Sequence, residues 1–509
     1  MGRKILFITT DQQRYDALGC NGGKVARTPV VDGWAQGGIR FTRAHCQNVV
    51  CMPSRATMLT GQHVSTHGVW MNGVPLPADA PSVAAYLAAH GYRTALLGKA
   101  HFAPFLDPGL RFAENRMGRE GGTGPYRGFD HVELSAHGGR GPWHYPQWLM
   151  AQHPGETGAY FPVLLPNFEL SGAGGGDTGA VQVGRNPIAR AHYHTDWIAD
   201  RTIAWLDGLD AEADWFLWMS FPDPHHPWDP PQSELARVDW RGLDLPAGYP
   251  GAKTESILGQ KPRHWLEWYR GERLTCFEAP PDFVPARLTA DQLREIIAMA
   301  HIKNELIDEA CGRVLSRIAA RGWAADTDIV YSTDHGDFLG DFGLLFKGPY
   351  HVDALMRVPL MWRPAPSAGL APATVAAPVG HVDLAPTFCR IAGLAVPDWM
   401  QGKPLPASEA EAAAQRRERV LTEWESEHRG VTLHLKSLYR DHYLCTVYEP
   451  GSLYDGSEGE LYDLANDPHQ WRNLWSEPAA RAQRDALVAD LRDHLPPKRP
   501  DRLAREANA

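Results

Sequence analysis

The run Ile5-Leu6-Phe7-Ile8-Thr9-Thr10, closed by Asp11, decides the fold of this chain. It is apolar without alternation, which suits a strand buried on both faces of a parallel sheet, and it stops abruptly at a carboxylate. Three further runs repeat the pattern. Thr94 to Leu97 stops at Gly98-Lys99-Ala100-His101, Trp215 to Phe221 at Pro222-Asp223-Pro224-His225-His226-Pro227, and Asp328 to Thr333 at Asp334-His335-Gly336-Asp337. Helical patterns lie between them, as in Val83 to Ala89 and Leu293 to Ile318. The organisation is therefore α/β, a large domain with a mostly parallel mixed sheet flanked by helices. Ligands of such sheets gather beyond the C-terminal strand ends. Four strand ends that carry Asp, Lys and His predict one shared site.

A second stretch supplies reactive chemistry: Asn48-Val49-Val50-Cys51-Met52-Pro53-Ser54-Arg55-Ala56-Thr57-Met58-Leu59-Thr60-Gly61. It reads as a thiol at the start of a short helix, with Pro near the first position and Gly just past the end. Free N–H groups and the positive dipole end make a helix start a suitable place for an anion. Arg55, one turn along, adds a fixed planar charge. Taken alone, Cys51 reads equally well as a buried cysteine before a capped helix. A divalent cation takes hard oxygen ligands with an optional imidazole, and Asp11 with Asp334-His335 offers two carboxylates and one ring nitrogen. Each alone would be a turn or cap residue; at matching strand ends beside Cys51 they form a candidate metal site. Lys99 and His101 have two-residue spacing, which puts both on one face if that segment stays extended.

Length and composition set the outer bounds. The 509 residues suffice for one large domain and a smaller one, with 43% hydrophobic and 22% charged residues. A formal net charge of −10 argues against a nucleic-acid surface. No apolar run reaches the ~18 residues of a membrane helix, and the start turns polar too soon for a secretory signal, so a cytoplasmic location is expected. Seven scattered cysteines without Cys-x-x-Cys spacing argue against a disulfide framework or a structural zinc site.

The predicted catalytic domain covers residues 1–400, with insertions at about 103–190 and 229–285. The first insertion is Gly-rich and places Trp143, His144, Tyr145 and Trp148 as candidates for a pocket wall or for loop anchors. A Pro-rich linker over 396–418 leads to a smaller C-terminal α+β subdomain, 419–509, with an antiparallel sheet (Val420 to Trp424, Val431 to Leu438, His442 to Tyr448) and a closing helix from about Glu477 to Leu495.

Together these segments resemble the type I sulfatases, formylglycine-dependent members of the alkaline-phosphatase-like superfamily that include bacterial arylsulfatases and choline sulfatases. The resemblance is carried, in order, by Asp11, by Cys51-x-Pro53-x-Arg55 with Leu59-Thr60-Gly61, and by Gly91 to His101. It continues through Asp223-Pro224-His225, Asp334-His335-Gly336, Lys347 and Gly459 to Pro468, so it spans nearly the whole chain. It implies that Cys51 is oxidised to formylglycine by a formylglycine-generating enzyme, and that the hydrated aldehyde is the nucleophile toward a small-molecule sulfate ester. It implies one divalent cation, commonly Ca2+ with Mg2+ or Mn2+ open, held by Asp11, residue 51, Asp334 and His335. Arg55 would hold the hydrate, Lys99 and Lys347 the sulfuryl oxygens, His101 would be the base and His225 the acid on the leaving oxygen. His226 competes with His225 for that last role; Pro227 beside it and the family pattern favour His225. Four features depart from the family: Gln12 stands where many members carry a second Asp, His335 where others carry Asn, Met52 where a small residue is usual, and the apolar pair Val49-Val50 before Cys51 is unusual.

The chemistry is consistent with that resemblance. A sulfate monoester is an anion, so cations and a metal-activated hydroxyl favour attack, and a gem-diol keeps a second hydroxyl whose deprotonation expels sulfate. The nearest rival is a formylglycine-dependent phosphonate monoester or phosphate diester hydrolase of the same superfamily; Lys99 with His101 favours the sulfatase. A catalytically silent binding protein on this fold is the rival from another class. Aryl, choline, sugar and alkyl sulfates remain open as substrates, and so does a homo-oligomer.

Overall fold

The computed structural model describes residues 3–105, 107, 109–166 and 169–507. The central sheet is built from Lys4–Asp11 (β1), Ile39–Phe41 (β2), Arg93–Gly98 (β3), His131–Leu134 (β4), Trp215–Pro224 (β5), Thr327–Thr333 (β6), Leu360–Arg363 (β7) and Ala373–Val375 (β8). Their order across the sheet is β8-β2-β7-β6-β1-β5-β3-β4. The contiguous run β6-β1-β5-β3-β4 is parallel, and β7 alone runs antiparallel to both its neighbours. All eight residues of β1 are buried, as its unbroken apolar character requires at the centre of a sheet covered on both faces.

The flanking helices include Cys51–Thr60 (α1), Val83–Ala89 (α2), His194–Asp207 (α3), Ala290–Ala320 (α4) and Leu384–Ala392 (α5). A capping box starts α4: the Thr289 hydroxyl accepts from the Gln292 N–H and the Gln292 side chain accepts from the Thr289 N–H. On α5, Phe388 packs on Phe7 of β1 and Phe216 of β5, with ring centroids 5.0 and 5.1 Å apart. No helix of the described residues is long and apolar enough to cross a membrane.

The stretch 103–190 is not all loop. It supplies β4, paired parallel to β3 at the sheet edge, and helices over Ala113–Glu120 and His144–Gln152. β4 escapes a search for apolar runs because it has four residues and carries Glu133, which pairs with Arg201 at 2.7 Å.

Arg419–His428 (β9), Val431–Arg440 (β10), Tyr443–Glu449 (β11) and Gly459–Asp463 (β12) form an antiparallel sheet in sequence order, closed by the helix Arg481–Asp493 (α6). Leu487 and Leu491 of α6 pack on Leu421, Leu438, Cys445 and Leu461, and each such leucine contributes about 2 kcal/mol when fully buried. The opposite face of this sheet, with Trp424 and Leu435, joins the main core. Edge strand β9 also grips the segment before Cys51. The Glu423 N–H donates to Gln47 O at 2.9 Å, the Thr422 hydroxyl to Cys46 O at 2.7 Å, and the Asn48 side chain to Glu423 O at 2.8 Å.

Candidate active site

Register explains why distant residues meet. Thr10 lies opposite Thr333, Thr9 opposite Ser220, and Gly98 opposite Ser220. The residues that follow these positions, Asp11, Asp334, Lys99 and the turn carrying His225, therefore emerge at one edge of the sheet.

Cys51 is the first residue of α1, whose ten residues are all buried. Asn48 Oδ1 accepts from the Val50 N–H at 3.0 Å and Asn72 Oδ1 from the Met52 N–H at 2.9 Å, so side chains satisfy two of the free donors of this helix start. Gly61, at φ 67°, ends the helix in the left-handed conformation. Around Cys51 Sγ stand His335 Nε2 and Lys347 Nζ, each at 3.3 Å, and Asp11 Oδ1 and Lys99 Nζ, each at 3.6 Å. Burial first, and Asp11 next, push the thiol far above its usual range, against Lys347 and Lys99. An unmodified Cys51 is thus a neutral thiol at neutral pH and a poor nucleophile.

Asp11, Cys51, Asp334 and His335 each present a ligand atom, all within 4.8 Å of one another and all buried. Two carboxylates and an imidazole suit a hard divalent cation, so the residues present fit such an ion. Burial alone would raise the Asp11 carboxyl, but Lys99, His225, Arg55 and Lys347 hold it well below the usual range. Arg55 sits beneath the carboxylates. Its Nε donates to Asp334 Oδ2 at 2.9 Å, Nη2 to Asp11 Oδ2 at 3.5 Å, and Nη1 to Ser220 Oγ at 2.8 Å and Lys99 O at 2.9 Å. None of these bonds reaches Cys51. Lys99 Nζ also bonds Asp11 directly. Gln12 is not among the clustered ligand atoms: its side chain donates to Asp337 at 2.6 Å and accepts from Lys347 at 2.8 Å, and its backbone N–H donates to Asp334 Oδ1 at 3.0 Å.

His101 does not continue the extended run after Lys99, because its φ is 58°. Its ring stacks on Phe105 at 3.7 Å, and neither ring nitrogen has a hydrogen-bond partner among the described residues. Burial, then Lys99 and Arg55, hold it well below the usual range and hence neutral. His225 Nε2 lies 3.1 Å from Lys347 Nζ and 3.2 Å from Glu278 Oε2, whereas His226 lies 4.0 Å from Glu278 and 3.4 Å from the Gln12 amide.

Two contacts had no sequence signal. Glu278 pairs with Lys347 at 2.7 Å and accepts from Asn72 at 3.0 Å; His137 lies 3.0 Å from Lys99 Nζ and stacks on His225 at 4.1 Å. They come from the two irregular stretches, and only their placement in those stretches hinted at them.

A cavity of about 740 Å3 opens from this centre. Cys51, Asn72, Lys99, His101, His225 and Glu278 line it together with Phe105, Trp143, Phe161, Leu274 and Phe277. Buried Asp229 accepts the Phe161 N–H at 3.0 Å and so fixes one wall, and burial pushes its carboxyl up to about 7. Of the four aromatics singled out above, Trp143 lines the cavity. The others anchor the loop: His144 accepts the Leu134 N–H at 2.9 Å, the Tyr145 hydroxyl donates to His192 O at 2.8 Å, and Trp148 packs near Tyr145 at 6.0 Å.

Comparison with known proteins agrees with this geometry. Residues 3–394 match the sulfatase family, and residues 340–497 match the C-terminal part of N-sulphoglucosamine sulphohydrolase. An N-acetylglucosamine-6-O-sulfatase of Bacteroides thetaiotaomicron is 26% identical over 95% of this chain and 84% of its own length. An arylsulfatase of Clostridium perfringens is 25% identical over 96% of this chain and 93% of its own. The crystal structure of a phosphonate monoester hydrolase of Agrobacterium radiobacter superposes with a TM-score of 0.78 at 25% identity, over 96% of this chain and 95% of that one. With the match running through every strand end that carries the site, the chain belongs to the sulfatase family of sulfuric ester hydrolases.

Proposed function

We propose that this protein hydrolyses sulfate monoesters at residue 51, matured from Cys51 to formylglycine, with one divalent cation held by Asp11, Asp334, His335 and residue 51. The observation that carries the reading is the pair of ammonium groups, Lys99 and Lys347, within 3.6 and 3.3 Å of Cys51 Sγ, while the ligand cluster stands on the same atom. A bound cation would supply further charge to the sulfuryl oxygens and lower the pKa of a hydroxyl on residue 51. Lys99 and Lys347 hold the outer sulfuryl oxygens, where charge develops in the transition state. Arg55 acts on this reading as a positioning residue that fixes Asp334 and Asp11. Neutral His101 takes a proton from residue 51. His225 gives one to the leaving oxygen: burial first, then His226 and Lys347, lower its pKa, and an anion between Lys347 and Lys99 together with Glu278 at 3.2 Å favours the imidazolium.

A second reading, phosphonate monoester or phosphate diester hydrolysis, draws support from the likeness to the Agrobacterium enzyme; the same cations suit a phosphoryl group. Peptide mass analysis with a substrate panel tests both. Residue 51 of active enzyme should be about 18 Da lighter than Cys, or unchanged when hydrated, and sulfate monoesters should give the highest kcat/KM. Unmodified thiol in fully active enzyme would sink the maturation, and a preference for phosphonate monoesters would replace the substrate class.

A further inference from the structure

Beyond α6 the chain turns back across the main domain as a strap. Thr66 Oγ1 donates to Pro497 O at 2.8 Å, the Arg499 N–H to Ser65 O at 2.8 Å, Trp70 Nε1 to Leu503 O at 2.9 Å, and the Glu506 N–H to Gly73 O at 2.9 Å. Arg502 pairs with Glu425 and Glu427 of β9 at 3.1 and 2.7 Å and covers the Trp70 ring at 4.2 Å. A strap with this many specific contacts has one seat. Its last ten residues lie beyond both family matches, which end at 394 and 497.

The strap bears on the reacting centre through one turn. A β-carbon on Gly73 would lie 3.1 Å from Arg505 Cγ, so the strap needs the glycine there, and Gly73 also has φ 93°. The Gly73 N–H points at Met52 Sδ at 3.1 Å, and neighbouring Asn72 binds the Met52 N–H and Glu278. Arg505 itself lines the cavity, where Arg140 and Arg429 join it from two other segments. Arg140 and Arg429 are exposed and have no carboxylate partner among the described residues. The lining thus combines ammonium and imidazole groups around Cys51, aromatic rings, and three guanidinium groups, of which Arg140 and Arg429 are exposed and Arg505 is half-buried. Outside the centre itself, Glu169 is the one carboxylate among the described lining residues.

We infer that the C-terminal strap completes the leaving-group pocket, with Arg505 as a specificity-determining residue, and that this pocket takes sulfate esters whose leaving group joins an aromatic ring to a second anionic group. The inference rests on the sulfate-ester reading above. An apolar ring gains by burial against Phe105, Trp143 and Phe277, and a carboxylate on its far side meets guanidinium groups that bind it in a planar fork.

The test compares 4-nitrophenyl sulfate with its ring-carboxylated counterpart, using wild type, Arg505→Gln and Arg505→Lys, each checked for native thermal unfolding. Wild type should favour the carboxylated ester, and Arg505→Gln should lower the ratio of the two kcat/KM values by about tenfold, the size of a charge-assisted hydrogen bond, chiefly through KM. Arg505→Lys should restore part of that ratio. Calorimetric titration of Cys51→Ala protein with both esters should show the same preference without turnover. An unchanged ratio in Arg505→Gln, or equal binding of the two esters, overturns the inference; absence of turnover on both esters with the binding preference intact overturns the sulfatase reading instead.

Discussion

Replacing Glu278 with Gln tests whether Lys347 and His225 work as a unit. The carboxylate stands 2.7 Å from Lys347 Nζ, 3.2 Å from His225 Nε2 and 3.0 Å from Asn72 Nδ2. Burial alone would lower the Lys347 pKa, but the carboxylates of Glu278 and Asp11 hold it above the usual range, so the ammonium stays charged. Coulomb's law at 2.7 Å with an effective dielectric of about 20 gives about 6 kcal/mol between Glu278 and Lys347, most of it offset by the desolvation of both groups. Gln keeps the shape but not the charge, so Lys347 loses its carboxylate at 2.7 Å and keeps Gln12, His225 and residue 51, while His225 loses the partner that favours its protonated form. We expect a loss of about 1.4–2.7 kcal/mol of transition-state stabilisation, ten- to a hundredfold in kcat/KM. The loss should be larger for phenyl sulfate than for 4-nitrophenyl sulfate, because in the proposed mechanism the poorer leaving group depends more on a proton from His225. Steady-state kinetics on the two esters read this directly. Activity within about twofold of wild type, or an equal loss on both esters, would refute the reasoning and leave Glu278 a packing residue.

Asp334→Asn should lower the metal found per chain by elemental analysis together with activity, because it removes one anionic ligand while keeping a side chain of the same shape; full metal content in that variant contradicts the ligand assignment. Asp229 gives a pH signature. Its carboxyl is raised to about 7, mainly by burial and against Lys303, so over the window from about pH 4 to about pH 7 the folded chain keeps a proton that the unfolded chain releases, and stability falls as pH rises. Asp229→Asn removes that slope, so it should stabilise the protein at about pH 8 relative to wild type by more than at about pH 5, by up to a few kcal/mol. Thermal unfolding at both pH values checks this, and an equal difference at the two contradicts it.

Much of the fold and of the inner site was legible because both rest on short segments. The apolar runs at Ile5, Thr94, Trp215 and Asp328 are strands β1, β3, β5 and β6, and these are neighbours in the sheet, so the polar residues that end them share one edge. Cys51 and Arg55 were legible for a related reason: a helix start followed by one turn is a local arrangement, written in five consecutive residues. Where the backbone departs from its local default, the reading failed. Lys99 and His101 do share the cavity, but through a left-handed residue at His101 rather than through strand alternation.

What the sequence hid is what long-range packing places. Glu278 reaches Lys347 from an irregular stretch that has no periodic pattern, and His137 reaches Lys99 from a Gly-rich one. Neither position has neighbours that mark it. The constraint comes from the other side of the contact: two buried ammonium groups and a histidine pair require nearby carboxylates and neutral rings, or their desolvation would go uncompensated. That requirement could be stated from Lys99, Lys347 and His225 alone, but it names no partner. The strap poses the same problem more sharply. Arg505 is separated from Cys51 by nearly the full chain, and its role depends on Gly73 leaving room for it and on Trp70 holding Leu503 in place. The reacting centre is thus assembled from strand ends, which sequence patterns reveal, and its outer pocket from loops and a terminus, which they do not. Selectivity among sulfate esters should therefore change with residues such as Arg505 and Phe277 long before any change in Asp11 or Asp334 is tolerated.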